Sequence, residues 1–157
     1  MPRYSYECPL RWFDMDVYGH VNNVTILRYL EEARVALLFR AAAEAGEDGL
    51  ASGLVVARHE VDYLKPLEYR AEPVTVETWI STIRKASFTI SHEVKDTHDD
   101  GTQTVYARAS TLLAPYDFRT ARPRRITSGE AIFLTKHMPE PSTPIATTSP
   151  VQASAQL

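Results

Sequence analysis

Residues 14–46, "DMDVYGHVNNVTILRYLEEARVALLFRAAAEAG", decide how the rest of the chain is read. Their first ten positions, 14–23, hold two acids, a glycine, a histidine and two asparagines between apolar segments. From Val24 to Ala45 there is no Gly or Pro, and strong helix formers dominate. Leu27, Leu30, Arg34, Leu37, Leu38 and Ala41 recur near helical spacing, with Tyr29, Ala33, Ala36 and Phe39 on neighbouring faces. The pattern predicts a long helix buried over much of its girth, capped by Asn22 or Asn23 and ended at Gly46.

Outward from the helix, the chain reads as strands. Residues 3–13, aromatic and interrupted by Pro9, predict an edge or irregular first strand. Alternating or β-rich runs follow at 54–64, 74–83, 87–94 and 103–114, the middle two joined by a short hairpin turn. Asp100-Gly101 marks another turn, and a short helix is expected near 129–137. The fold class is α+β: one strand, one long helix, then four mainly antiparallel strands. Residues 1–138 form the domain, and 139–157, rich in Pro, Ser and Thr, read as a disordered tail. One helix cannot cover both faces of such a sheet. Trp79 and Ile83 suggest that the second face is not cleanly polar, so a second copy of the chain is expected to cover that face or an uncovered edge strand.

Composition narrows the function. A net charge of −3 gives no electrostatic case for nucleic acid. The single cysteine, Cys8, has no internal disulfide partner, which points to a reducing, cytoplasmic setting. No leader segment or membrane span is expected, and the scattered histidines form no metal motif. What remains is the segment before the helix. Backbone N–H groups of a first helical turn are unpaired and favour a developing oxyanion. A carboxylate beside them suits hydrolysis of an activated carbonyl. The alternative is that the Asp, His and Asn residues simply form the turn and cap.

"RWFDMDVYGHVNNVTILRYLEEAR" closely resembles the opening of the 4-hydroxybenzoyl-CoA thioesterase-like family of hotdog-fold proteins. "VDYLKPL", "IRKASFTISHEV" and "RPRRI" extend the resemblance over residues 3–127. It implies a hotdog fold, an antiparallel sheet wrapped around the central helix. It also implies hydrolysis of acyl-CoA thioesters without a further cofactor, by a homodimer or homotetramer with sites at the subunit interface. By the same resemblance Asp16 is the catalytic carboxylate, as nucleophile or general base, with His20 in support and Asp14 structural. Gly19, Val21, Asn22 and Asn23 fall at the oxyanion and substrate-binding positions, and Arg84, Lys85 and Ser87 where relatives meet CoA. Relatives often carry a tyrosine where this chain has Ile26, which implies a more apolar or differently shaped acyl pocket. Glu31 and Glu32 rank below Asp16 as carboxylates and are expected to pair with Arg28 or Arg34 or to face a partner. Tyr18, Tyr63, Trp79 and Phe88 are candidates for the acyl pocket or the core. The rival readings are an acyl-ACP thioesterase and a non-catalytic protein that binds acyl-CoA.

Overall fold

A computed structural model describes residues 3–140. Strand β1 (Tyr4–Cys8) leads through a single 3-10 turn (Trp12–Asp14) and the 15–22 loop into helix α1 (Asn23–Val35). The helix continues through a π-helical segment (Ala36–Ala41) into the last turn α2 (Ala42–Glu44). Then come β2 (Leu54–Tyr63), β3 (Val74–Ile83), β4 (Phe88–Thr97), β5 (Gln103–Asp117), the two-residue β6 (Arg122–Pro123) and α3 (Ser128–Lys136). The expected strands and both helices are present; β6 is an addition. The disordered-tail expectation falls on residues 141–157, outside those described.

All strand pairs are antiparallel, in the order β1-β3-β4-β5-β2, with β6 against β5. The sheet curls around the long helix, a hotdog architecture. β1 and β2 are its two edges, so the expectation of an edge strand at the start holds. The 84–87 hairpin closes through Arg84 N–H to the Ser87 carbonyl (2.8 Å), and Gly101 turns with φ +82°. At the other end of the helix, Gly46 takes φ +81°, the left-handed conformation of a helix stop.

Helix burial is less complete than its sequence predicts. Ile26, Tyr29, Leu30, Ala33, Arg34, Leu37, Leu38 and Ala42 are buried in one stripe, whereas Arg28, Glu31, Glu32, Phe39 and Arg40 are exposed. Apart from Arg34, the charged residues of the helix stay in water, which confines burial to one side. The stripe packs into two separate apolar clusters. Ile26, Tyr29, Leu30 and Ala33 meet Val74, Val76, Val94 and Ala107. Farther along, Leu37, Leu38 and Ala42 meet Ile80, Phe88, Ile90, Leu113, Phe133 and Leu134.

The outer face of the sheet corrects the sequence reading. Trp79 does lie there, but in register with Ser91 and Ser110, beside a row of Glu77, Glu93 and Arg108. Arg3 lies over the Trp79 ring at 4.0 Å and bonds Glu77 at 2.9 Å. Lys95, on the same face of β4 as Glu93 by simple alternation, pairs with Glu77 at 2.8 Å. This face is therefore an ion-pair network around one aromatic ring, not an apolar surface in need of cover.

Candidate active site

The 14–23 segment is a tight loop fastened on both sides. Asp14 is buried and accepts hydrogen bonds at Oδ2 from the Tyr29 hydroxyl (2.6 Å) and Arg11 N–H (3.0 Å). Its carbonyl accepts Asn22 N–H at 2.9 Å. Across the loop, Val21 N–H donates to the Leu67 carbonyl at 2.8 Å, and His20 bridges to Glu68. Burial, and then the bond to Asp14, push the Tyr29 hydroxyl well above its ordinary pKa, so it stays a donor to that carboxylate. Asp14 is thus a structural anchor.

Asp16 sits differently. Its Oδ1 accepts Tyr18 N–H (2.8 Å) and His20 N–H (3.3 Å), closing an Asx-type turn around Gly19. Asp16 N–H donates to the His20 carbonyl at 2.8 Å. The other oxygen, Oδ2, has no hydrogen-bond partner among the described residues. Gly19 holds φ +77°, and a Cβ added there would meet nothing within 4 Å. Its glycine is explained by the turn conformation and not by close packing.

At the helix start, the Asn22 side chain accepts Val24 N–H at 2.9 Å and serves as the N-cap. Asn22 N–H is already given to Asp14, so it is not a free oxyanion donor. Asn23 N–H is left without an acceptor among the described residues, while the Asn23 carbonyl accepts the Tyr63 hydroxyl at 2.9 Å.

Asp16, His20, Val21 and Asn23 line one cavity of about 330 Å³. Its buried floor is Val21, Ile26, Leu67 and Ala107, and its rim includes Tyr63, Leu64, Lys65 and Pro66. Tyr106 forms a further wall and directs its hydroxyl to Asp96 (2.6 Å), which Arg70 grips with both terminal nitrogens. That grip, above all its hydrogen bonds, holds the Asp96 carboxyl below its ordinary range. Leu64 and Lys65 N–H both donate to the Tyr106 carbonyl, at 2.8 and 3.1 Å. Gly19 and Asn22 shape the loop without lining the cavity. Of the aromatic candidates only Tyr63 lines it; Tyr18 is exposed, Trp79 lies on the outer face and Phe88 is in the second apolar cluster. The 64–67 and 106–107 walls escape a reading of the sequence as site residues, because β5 brings them beside the loop only on folding.

The other predicted site residues lie elsewhere. Arg84 and Ser87 line a second groove of about 320 Å³ with Arg58, Glu60, Thr82, Thr89, Ser110 and Leu112. Lys85 is in the hairpin turn, its carbonyl accepting Ile126 N–H at 2.9 Å. The two cavities share no lining residue. Glu31 approaches Arg34 at 3.8 Å, in keeping with the expected helical pair. Among the described residues, no group of three or more His, Cys, Asp and Glu side chains is placed to hold a metal ion, and no helix is long and apolar enough to cross a membrane.

Fold and loop together define a hotdog protein with a carboxylate at the start of its central helix. Residues 10–143 match the thioesterase-like superfamily, and the chain belongs to it, a class of thioester hydrolases. Similar solved structures include a predicted thioesterase from Bacillus stearothermophilus, 27% identical with a TM-score of 0.71, over 88% of this chain and 98% of that one. A thioesterase from Thermus thermophilus, complexed with coenzyme A and Zn, is 26% identical with a TM-score of 0.64, over 85% and 92%. A mutant 4-hydroxybenzoyl CoA thioesterase complexed with 4-hydroxybenzoyl CoA shares the fold at 18% identity and a TM-score of 0.71, over 85% and 99%. No curated protein matches the chain.

Proposed function

We propose that this protein hydrolyses acyl-CoA thioesters to free acid and CoA, with Asp16 as the reacting carboxylate. The observation that carries the reading is that Asp16, whose Oδ2 is unbonded, and Asn23, whose N–H is unbonded, both among the described residues, line the same cavity. The Asn23 N–H, at the positive end of α1, receives the thioester oxygen as charge develops on it. Asp16 then acts by one of two routes. As nucleophile, Oδ2 bonds to the carbonyl carbon, expels CoA thiolate and leaves a mixed anhydride for water to cleave. As general base it takes a proton from water as that water attacks, and the thiolate departs with a proton. His20, on the same wall, orients the water or the carboxylate.

The acyl group occupies the floor of Val21, Ile26, Leu67 and Ala107. Both tyrosine hydroxyls of the cavity are already engaged, Tyr63 with Asn23 and Tyr106 with Asp96. That floor suits an uncharged, apolar acyl group. In this proposal the working unit is a homodimer or a multiple of it. Phe13, Val17, Tyr18, Val24, Tyr63 and Leu64 are exposed around the loop and the cavity rim, and β2 beside them is a free sheet edge. The Arg84–Lys85 turn and Ser87, in their separate groove, meet the CoA nucleotide from a paired chain.

Thiol release from short-chain, long-chain and aromatic acyl-CoAs, each compared with the same acyl group on ACP, tests this. Turnover of at least one CoA thioester, exceeding its ACP counterpart, is expected. Binding of acyl-CoA without thiol release would favour a sensor, and turnover of ACP thioesters alone would change the carrier.

A further inference from the structure

Strand β5 is irregular where it passes the Asp16 cavity. Val94 pairs with Ala107 and Lys95 with Val105, so Tyr106 has no partner on β4 and is the extra residue of a β-bulge. Ala107 is buried in the first apolar cluster and Arg108 is exposed on the other face. Plain alternation would send Tyr106 to the face of Arg108. The bulge turns it back: Tyr106 is half-buried and packs against the same apolar cluster as Ala107. Re-aiming a side chain beside a functional site is a common use of a bulge.

Tyr106 stands between two spaces. Together with Pro66 and Leu67 it lines the Asp16 cavity, and the same three residues line a further cavity of about 260 Å³ that Glu68, Tyr69 and Arg70 complete. The Tyr106 carbonyl accepts the N–H groups of Leu64 and Lys65, both on the rim of the Asp16 cavity. Its hydroxyl donates to Asp96 Oδ2 at 2.6 Å, and Asp96 is held in turn by Arg70, a wall of the second cavity. The residue is therefore fastened at its main chain toward one space and at its hydroxyl toward the other. Leu67 belongs to the buried core and Pro66 is short, so Tyr106 is the largest side chain shared by the two walls.

On the reading that the Asp16 cavity takes the acyl group of a thioester, we infer that Tyr106 is the residue that sets the length of acyl chain accepted. Its ring ends the acyl space, which favours short acyl groups and excludes chains that would run on into the second cavity. The bulge supplies the inward aim, and the Asp96–Arg70 pair fixes where the hydroxyl end lies.

The ratio of kcat/KM for dodecanoyl-CoA to that for hexanoyl-CoA tests this, because a loss of packing alone lowers both and leaves the ratio in place. Tyr106→Ala joins the two spaces and should raise the ratio by roughly tenfold or more. Tyr106→Leu, a milder change for folding, should move it in the same direction, and Tyr106→Phe, which refills the partition, should keep the native ratio. Calorimetric binding of hexanoate and dodecanoate needs no turnover and separates the partition from the hydrolysis. A native chain that hydrolyses neither thioester removes the hydrolase reading, while tighter dodecanoate binding by Tyr106→Ala still supports the partition. A native ratio retained by folded Tyr106→Ala and Tyr106→Leu, or a dodecanoate affinity that neither changes, overturns it.

Discussion

The carboxylates of Asp14 and Asp16 stand two residues apart in unlike surroundings. Asp14 is buried and fully engaged by Tyr29, Arg11 and the loop; Asp16 keeps one oxygen unbonded in a cavity. Tyr29→Phe removes a charge-assisted hydrogen bond and is expected to lower unfolding free energy by about 1.5–3 kcal/mol, measured by urea titration. The acid pair, the cap and the Gly-His-Val-Asn-Asn run were legible as a turn with chemical potential. Which N–H stays free was not, because Asn22's is taken by the carbonyl of Asp14, a contact made only when the loop closes. At Ile26, on the cavity floor, Ile26→Ala enlarges an apolar space. It should shift preference toward bulkier acyl groups and cost about 2–5 kcal/mol of stability, read from kcat/KM across an acyl-CoA panel and from thermal unfolding.

At the scale of elements, the long helix and the strands followed from periodicity and turn residues. The six-residue π-helical segment did not, since "ALLFRA" suits either helix and packing sets the register. Nor did the buried pair of Thr78 on β3 and His92 on β4, which the register sets side by side with Thr78 Oγ1 3.0 Å from His92 Nδ1. That pair has a consequence for pH. Burial first, and the charge of Arg34 second, lower His92 to about 3 in the folded protein, from an ordinary value near 6.5. The unfolded chain therefore binds the proton first as pH falls. The stability contributed by neutral His92 is complete above about pH 6.5 and is lost progressively toward pH 3. His92→Phe should flatten unfolding free energy against pH over that window, measured by denaturant titration at a series of pH values. A slope identical to the native one would contradict this.

For the whole molecule, the outer sheet face looked unfinished in sequence because Trp79 and Ile83 break the alternation. Folding instead gathers Arg3, Glu77, Glu93, Lys95 and Arg108 there from three strands and the residue before β1, and no local pattern reveals such a network. The case for pairing therefore moves to the apolar rim around the 15–24 segment and the β2 edge. Val17 is 92% exposed in the single chain, so Val17→Asp should leave the protomer's stability almost unchanged. If pairing covers this rim, the same change should weaken association at least tenfold, read by sedimentation. A native chain that sediments as a monomer at micromolar concentration would remove the dimer from the proposal.

The most direct test of the central claim is the turnover of Asp16→Asn on the best acyl-CoA substrate. Asparagine retains the Oδ1 that closes the turn, so fold and loop should persist. The account predicts kcat lowered by about 100- to 10,000-fold with an unchanged melting temperature. A folded Asp16→Asn variant that turns over acyl-CoA at the native rate would contradict it.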